Sequence, residues 1–138
     1  MRTRADKLYG TDEGRNVKAT IKEFDPGSEY FFAEGCFIVE LSNSVEDTDL
    51  SIARARVEPG RTTRWHRLAG IAERYVILEG YGLVEIDQLP ARTVSAGDVV
   101  LIPPLARQRI TNTGPEDLLF LALCTPPFRL ENYQDLES

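Results

Sequence analysis

The stretch from Pro59 to Gly82, PGRTTRWHRLAGIAERYVILEGYG, decides the reading of this chain. It contains the only histidine, His66, and sets Glu73 seven residues later in a run, AERYVILE, that stops at Gly80. β-branched and aromatic residues fill that run and turn residues bound it, which is the pattern of short strands joined by tight turns. Alternate side chains of a strand share a face. His66 therefore goes with Leu68, and Glu73 goes with Tyr75 and Ile77. A second stretch, GDVVLIPPLARQRITN from Gly97 to Asn112, puts Gln108, Ile110 and Asn112 on one face in the same way.

The same punctuation extends outward in both directions. From Val17 the runs VKATIKEF, YFFAEGCFIVEL and LSIARARVE are cut by turns at Asp25-Pro26-Gly27, Pro59-Gly60 and Ala96-Gly97-Asp98, where Gly or Pro supplies angles that strand residues avoid. Apart from a short turn near ENYQDLE, no window carries a 3.6-residue apolar repeat. Many short antiparallel strands fit a sandwich or a barrel. The first 16 residues are polar and aperiodic, the signature of a flexible arm. After Cys124 the prolines of TPPFRLENYQDLES break the strand rhythm, so residues 126–138 form a tail packed on the barrel or on a second subunit. The strand-forming body is 17–125.

These residues resemble the cupin superfamily. Its first signature is Gly, five residues, His-x-His, four residues, Glu, six residues, Gly; Gly60, His66, Glu73 and Gly80 fall on it, and Leu68 replaces the second histidine. Its second is Gly, five residues, Pro-x-Gly, two residues, His, three residues, Asn. Gly97, Pro103 and Asn112 match, while Leu105 replaces the glycine and Gln108 the histidine. The resemblance implies an all-β, double-stranded β-helix (jelly-roll) barrel in which His66, Glu73 and Gln108 converge near the open end. It also implies the family's divalent transition metal (Fe, Mn, Ni or Zn), held by His66, Glu73 and the carbonyl oxygen of Gln108, with weak or partial occupancy because Leu68 cannot coordinate. Such mixed nitrogen and oxygen ligation suits several of these ions. Small cupins of this kind carry the label mannose-6-phosphate isomerase-like, and cupins of this size are commonly homodimers, for which Phe31, Phe32 and the strand around Phe37 supply apolar area.

Three functional readings follow. The first is a metal-dependent oxygenase or isomerase acting on a small polar organic molecule. A metal-free enzyme is the second, in which His66 as imidazolium pairs with Glu73 and the two move a proton, with Tyr75 donating its hydroxyl to substrate. The third is a barrel without catalysis, which either binds a small molecule or serves as a dimeric scaffold in which His66 and Glu73 matter only for stability. A bare carboxylate at Glu73 in an apolar barrel costs several kcal/mol, roughly, unless it is paired or protonated. By alternation Arg67, Arg107 and Arg109 point outward and Trp65 faces away from His66; Arg64 has the parity of His66, and either forms an exposed salt bridge, the favoured reading, or reaches the pocket mouth to bind a substrate carboxylate or phosphate.

Composition narrows the partners. The 138 residues suit one domain with a real core. A net charge of −6 with scattered basic residues disfavours nucleic acid. The longest apolar runs, VVLI and LLFLALC, are far too short to cross a bilayer as helices, and no basic-then-apolar leader opens the chain, which reads as cytoplasmic. Cys36 and Cys124 are isolated, as reduced thiols would be.

Overall fold

The computed structural model describes residues 16–137. The alternating runs form eleven strands: β1 Tyr30–Phe32, β2 Cys36–Ser42, β3 Ser51–Val57, β4 His66–Leu68, β5 Ala72–Glu79, β6 Tyr81–Ile86, β7 Arg92–Ser95, β8 Val99–Ile102, β9 Gln108–Asn112, β10 Leu118–Thr125 and β11 Tyr133–Asp135. They pair antiparallel into a six-stranded sheet, β1-β2-β3-β10-β5-β8, and a five-stranded sheet, β11-β4-β9-β6-β7. The two sheets face each other as a double-stranded β-helix, and the apolar positions of both inner faces make one core. Val57, Ile110 and Leu118 are wholly buried within it. Alternation is read directly in the burial of β5, where Glu73, Tyr75 and Ile77 point inward and their neighbours do not.

Gly80 makes the crossover between sheets possible. It stands between β5 in one sheet and β6 in the other, with φ +90°, and a Cβ there would lie 2.8 Å from the Asp117 carbonyl oxygen. A side chain at Gly80 meets both a conformational and a steric barrier. Asn112 ties the neighbouring loops: its Nδ2 donates to the carbonyls of Val57 and Glu116 at 2.8 and 2.7 Å, and its Oδ1 accepts from the Gly114 amide at 2.9 Å. This signature asparagine is a brace.

Two local expectations change. VKATIKEF does not join a sheet: only Val17 bridges to Asp47, and Ile21 is exposed. Strand propensity without a partner edge leaves the segment extended but unpaired. The short turn expected near ENYQDLE is present as the 3₁₀ turn Leu130–Asn132, but the tail, expected to be irregular, then returns to a strand, β11. Through β11 the tail pairs with β4, Tyr133 opposite Leu68 and Asp135 opposite His66, and it covers a small apolar cluster of Leu68, Ile71, Cys124, Phe128 and Tyr133. Of the expected arm, residues 1–15 lie outside the described residues. Among the described residues no helix is long and apolar enough to cross a membrane.

Candidate active site

Four elements deliver the buried polar residues. β5 supplies Glu73 and Tyr75, β9 supplies Gln108, and β4 supplies His66, whose Cα is paired across the ladder with that of Gln108. The fourth is the turn between β1 and β2. Its Glu34 carbonyl accepts from the Arg64 amide at 2.8 Å, which pins the turn beside the start of β4 and brings the Glu34 carboxylate to His66.

Two hydrogen-bonded chains result. In the first, the Tyr75 hydroxyl donates to Gln108 Oε1 at 2.5 Å, and Gln108 Nε2 donates to Glu73 Oε1 at 2.8 Å. The other Glu73 oxygen, Oε2, has the Cys124 thiol at 3.7 Å. In the second, His66 Nε2 faces Glu34 Oε1 at 2.5 Å while Nδ1 donates to the Arg64 carbonyl at 2.7 Å. Both ring nitrogens point at acceptors, the arrangement of an imidazolium. Tyr133 of β11 stacks on the ring, centroids 5.3 Å apart. Glu73 is 9 % exposed, and His66, Gln108 and Tyr75 less than that.

The electrostatics follow from this packing. Burial pushes the Glu73 carboxyl up and the Glu34 charge adds to it, outweighing the Gln108 hydrogen bond and His66, so that it titrates at about 7. Burial alone would push His66 down, but the Glu34 charge and hydrogen bond and the Arg64 carbonyl raise it to about 8. Burial also drives the Cys36 and Cys124 thiols and the Tyr75 phenol up. These are protonated groups at neutral pH, and neither cysteine is an activated nucleophile.

A cavity of about 60 Å³ opens on the inner face of the six-stranded sheet, bordered by Glu34, Glu73, Tyr75 and Cys124. Its room comes from small side chains in the middle of the sheet. Ala53 and Ala122 are cross-strand partners there, with Ala55 beside them. His66 and Gln108 do not border the cavity; they hold the carboxylates that do.

The structure thus brings His66, Glu73 and Gln108 together, in hydrogen bonds rather than around a common point. The Gln108 carbonyl oxygen is taken by Tyr75, its nitrogen is turned to Glu73, and His66 Nε2 is taken by Glu34. Leu68 is buried and has no donor atom. Among the described residues no three His, Cys, Asp or Glu side chains converge as metal ligands would. As bonded, this set does not fit a divalent ion.

Glu34 is the site residue that the sequence did not disclose. The one local sign is an acid set between apolar runs and followed by Gly35, a pattern shared by ordinary hairpin turns. Arg67, Arg107 and Arg109 lie outside, as alternation requires, and Arg64, which has the parity of His66, makes the expected salt bridge instead of reaching the cavity. Arg64 pairs with Asp135 at 3.1 Å and Arg109 with Glu85 at 2.8 Å. Arg67 donates to Gln134, and the guanidinium groups of Arg107 and Arg109 lie over the Trp65 ring.

Comparison with known proteins agrees with this architecture. A family model described as Cupin domain matches residues 53–124. The Uncharacterized protein MJ1618 of Methanocaldococcus jannaschii is 34% identical over 123 residues, covering 88% of this chain and 98% of that one. A Glucose-6-phosphate isomerase of Pyrococcus abyssi is 29% identical over 129 residues, covering 85% of this chain and 64% of the isomerase. Among solved structures, Streptomyces PAC13 with uridine superposes with a TM-score of 0.69 at 16% identity, over 86% of this chain and 93% of its own; Pac13 is described as a nucleoside dehydratase.

Proposed function

The chain belongs to the cupin domain family, and from that premise we propose that it acts on a small polar organic molecule by proton transfer at Glu73, without a metal. One observation carries this reading. Glu73 borders the cavity with its Oε1 held by Gln108, while its Oε2 has the Cys124 thiol at 3.7 Å as its hydrogen-bond partner among the described residues. A buried carboxyl titrating at about 7 can accept a proton and return it at neutral pH.

The chemistry that suits it is removal of a proton from a carbon next to a carbonyl. Glu73 Oε2 takes the proton, the C–H electron pair moves toward the carbonyl, and the carbonyl oxygen gains the charge. Where the carbon that loses the proton carries a hydroxyl, passage of that hydroxyl's proton to the charged oxygen and return of the Glu73 proton to the former carbonyl carbon moves the carbonyl over and gives an isomerase; departure of a hydroxide from the next carbon, taking the Glu73 proton as water, restores the carbonyl and gives a lyase. Tyr75 holds the Gln108 amide in the orientation that presents its nitrogen to Glu73, so it positions the base. His66 holds Glu34 at the cavity wall. The isomerase and dehydratase named among the similar proteins support proton-transfer chemistry in this fold, which hosts many reactions.

Solvent exchange tests the reading. In D2O, small hydroxy-ketones and hydroxy-aldehydes that shift the protein's NMR spectrum should take up deuterium next to the carbonyl. Glu73→Gln should slow this by about 10²-fold or more while leaving binding intact, and a chelator should leave the rate unchanged. Near-stoichiometric transition metal in protein purified without chelator, lost in both Glu73→Ala and Gln108→Ala, would return the site to metal chemistry. Bound compounds that never exchange would make the barrel a binding module.

A further inference from the structure

We infer that the ligand of this cavity carries a positive charge, as a small organic ammonium group; the inference rests on the cavity being the binding site proposed above. Charge balance is the first argument. Among the described residues three carboxylates border the cavity, Glu34, Glu40 and Glu73, and no Lys, Arg or His does. The cation behind the wall, His66, is spoken for by Glu34 at 2.5 Å. The basic residues on the adjoining strands are engaged elsewhere: Arg54 and Arg56 with Glu29, and Arg74 with Thr125. Glu73 and the exposed Glu40 thus border the cavity with no ion-pair partner of their own among the described residues, and Glu73 is more than nine-tenths buried. A site short of positive charge either takes a proton onto Glu73 or receives the charge from its ligand.

The rest of the wall favours an ammonium group over a hydrated metal ion. Tyr30, Phe32 and Phe128 border the cavity together with the buried rings of Tyr75 and Phe120. Aromatic faces attract organic cations through the ring quadrupole, and more strongly where water is excluded. An anion meets the opposite field. A phosphate or carboxylate in this wall would find the carboxyls of Glu40 and Glu73 and, among the described residues, no Lys or Arg, so a phosphorylated sugar is a poor fit despite the name of the Pyrococcus abyssi relative. The net charge of −6 on the whole chain draws cations and repels anions at longer range.

Matched probes decide it. Titration calorimetry at pH 7 would compare choline, its neutral isostere 3,3-dimethylbutan-1-ol and inorganic phosphate. Choline is expected to bind at least tenfold more tightly than the alcohol, and Glu40→Gln to weaken choline several-fold while leaving the alcohol unchanged. Choline should also displace a proton from Glu73, seen as a binding enthalpy that depends on the buffer's ionisation enthalpy; this dependence should vanish in Glu73→Gln, a readout that a merely structural change would not reproduce. Equal or tighter binding of the alcohol, tighter binding of phosphate, or no binding of choline would each overturn the charge assignment. The deuterium exchange measured on neutral hydroxy-carbonyl compounds stands or falls independently, so failure of one reading is told from failure of the other.

Discussion

Glu73 is the residue on which both chemistry and stability turn. Its carboxyl titrates at about 7 against an ordinary 4.5, so between those values the folded protein holds a proton that the unfolded chain has lost. His66 behaves alike between 6.5 and about 8. In both cases the native state binds more protons, and stability falls as pH rises, from about pH 4.5 through about pH 8. One retained proton is worth about 1.4 kcal/mol for each pH step across these ranges, so the loss amounts to a few kcal/mol. The carboxyls held below their ordinary values, Glu29, Glu46 and Asp135, act in the opposite sense and only in more acid solution. Urea unfolding at pH 5.5, 7 and 8.5 should therefore show greatest stability at pH 5.5. Glu73→Gln should flatten the lower part of the slope and leave the part near pH 7–8 that belongs to His66; an unchanged profile would mean that Glu73 is not the proton-holding group.

At the scale of elements, the turn between β8 and β9 explains a departure from the cupin pattern. Leu105 stands where the second signature has glycine, and its φ is +67°, in the left-handed region that glycine favours. The backbone requirement persists because the Leu105 amide donates to the Leu68 carbonyl at 2.9 Å, tying the turn to β4. A side chain there costs about 1–2 kcal/mol, and Leu105 is 53% exposed, which returns little by burial. Leu105→Gly is expected to stabilise the protein by about 0.5–1 kcal/mol after the entropy of glycine is counted, visible as a higher urea midpoint at unchanged slope. A second element, β11, does something that strand propensity alone could not announce. It returns the C-terminal tail to β4 and lays Tyr133 on His66, so the tail packs behind the residue that holds Glu34.

For the whole molecule, the outer surface of the six-stranded sheet carries the aromatic residues that remain after the core is filled. Phe31 is 60% exposed and packs edge-on against Phe37 at 5.2 Å, with Arg56 over the Phe37 ring. Phe32 turns inward toward Phe128 and Tyr133. The aromatic pair thus divides between the molecule's own interior and its surface. We propose that two copies associate through the Phe31 and Phe37 face; light scattering should give twice the chain mass for the wild type and one chain mass for Phe31→Asp, with the thermal unfolding of the monomer little changed. One chain mass for the wild type would remove the proposal.

The barrel was legible in the sequence because its determinants are local. Strand period, turn residues and the spacing of Gly60, His66, Glu73, Gly80, Gly97 and Asn112 each act over a few residues; alternation grouped Glu73 with Tyr75 and set His66 and Gln108 on faces of their own strands, and the cupin resemblance turned those faces inward before any pairing was known. What those side chains do to one another depends on atoms brought together from distant parts of the chain. Glu34 reaches His66 from a turn 32 positions earlier because one backbone hydrogen bond pins that turn to Arg64. Gln108 is turned by Tyr75 toward Glu73, so that a pair of residues readable as metal ligands becomes a hydrogen-bonded acid. The cavity exists because Ala53, Ala55 and Ala122, unremarkable along the chain, meet at the centre of one sheet. Periodicity and turn chemistry determined the short antiparallel strands, and the cupin resemblance of the spaced signature residues chose the barrel among the folds they allow; tertiary packing decided the partners, charge and protonation of the site, because those depend on distances between groups rather than on their order.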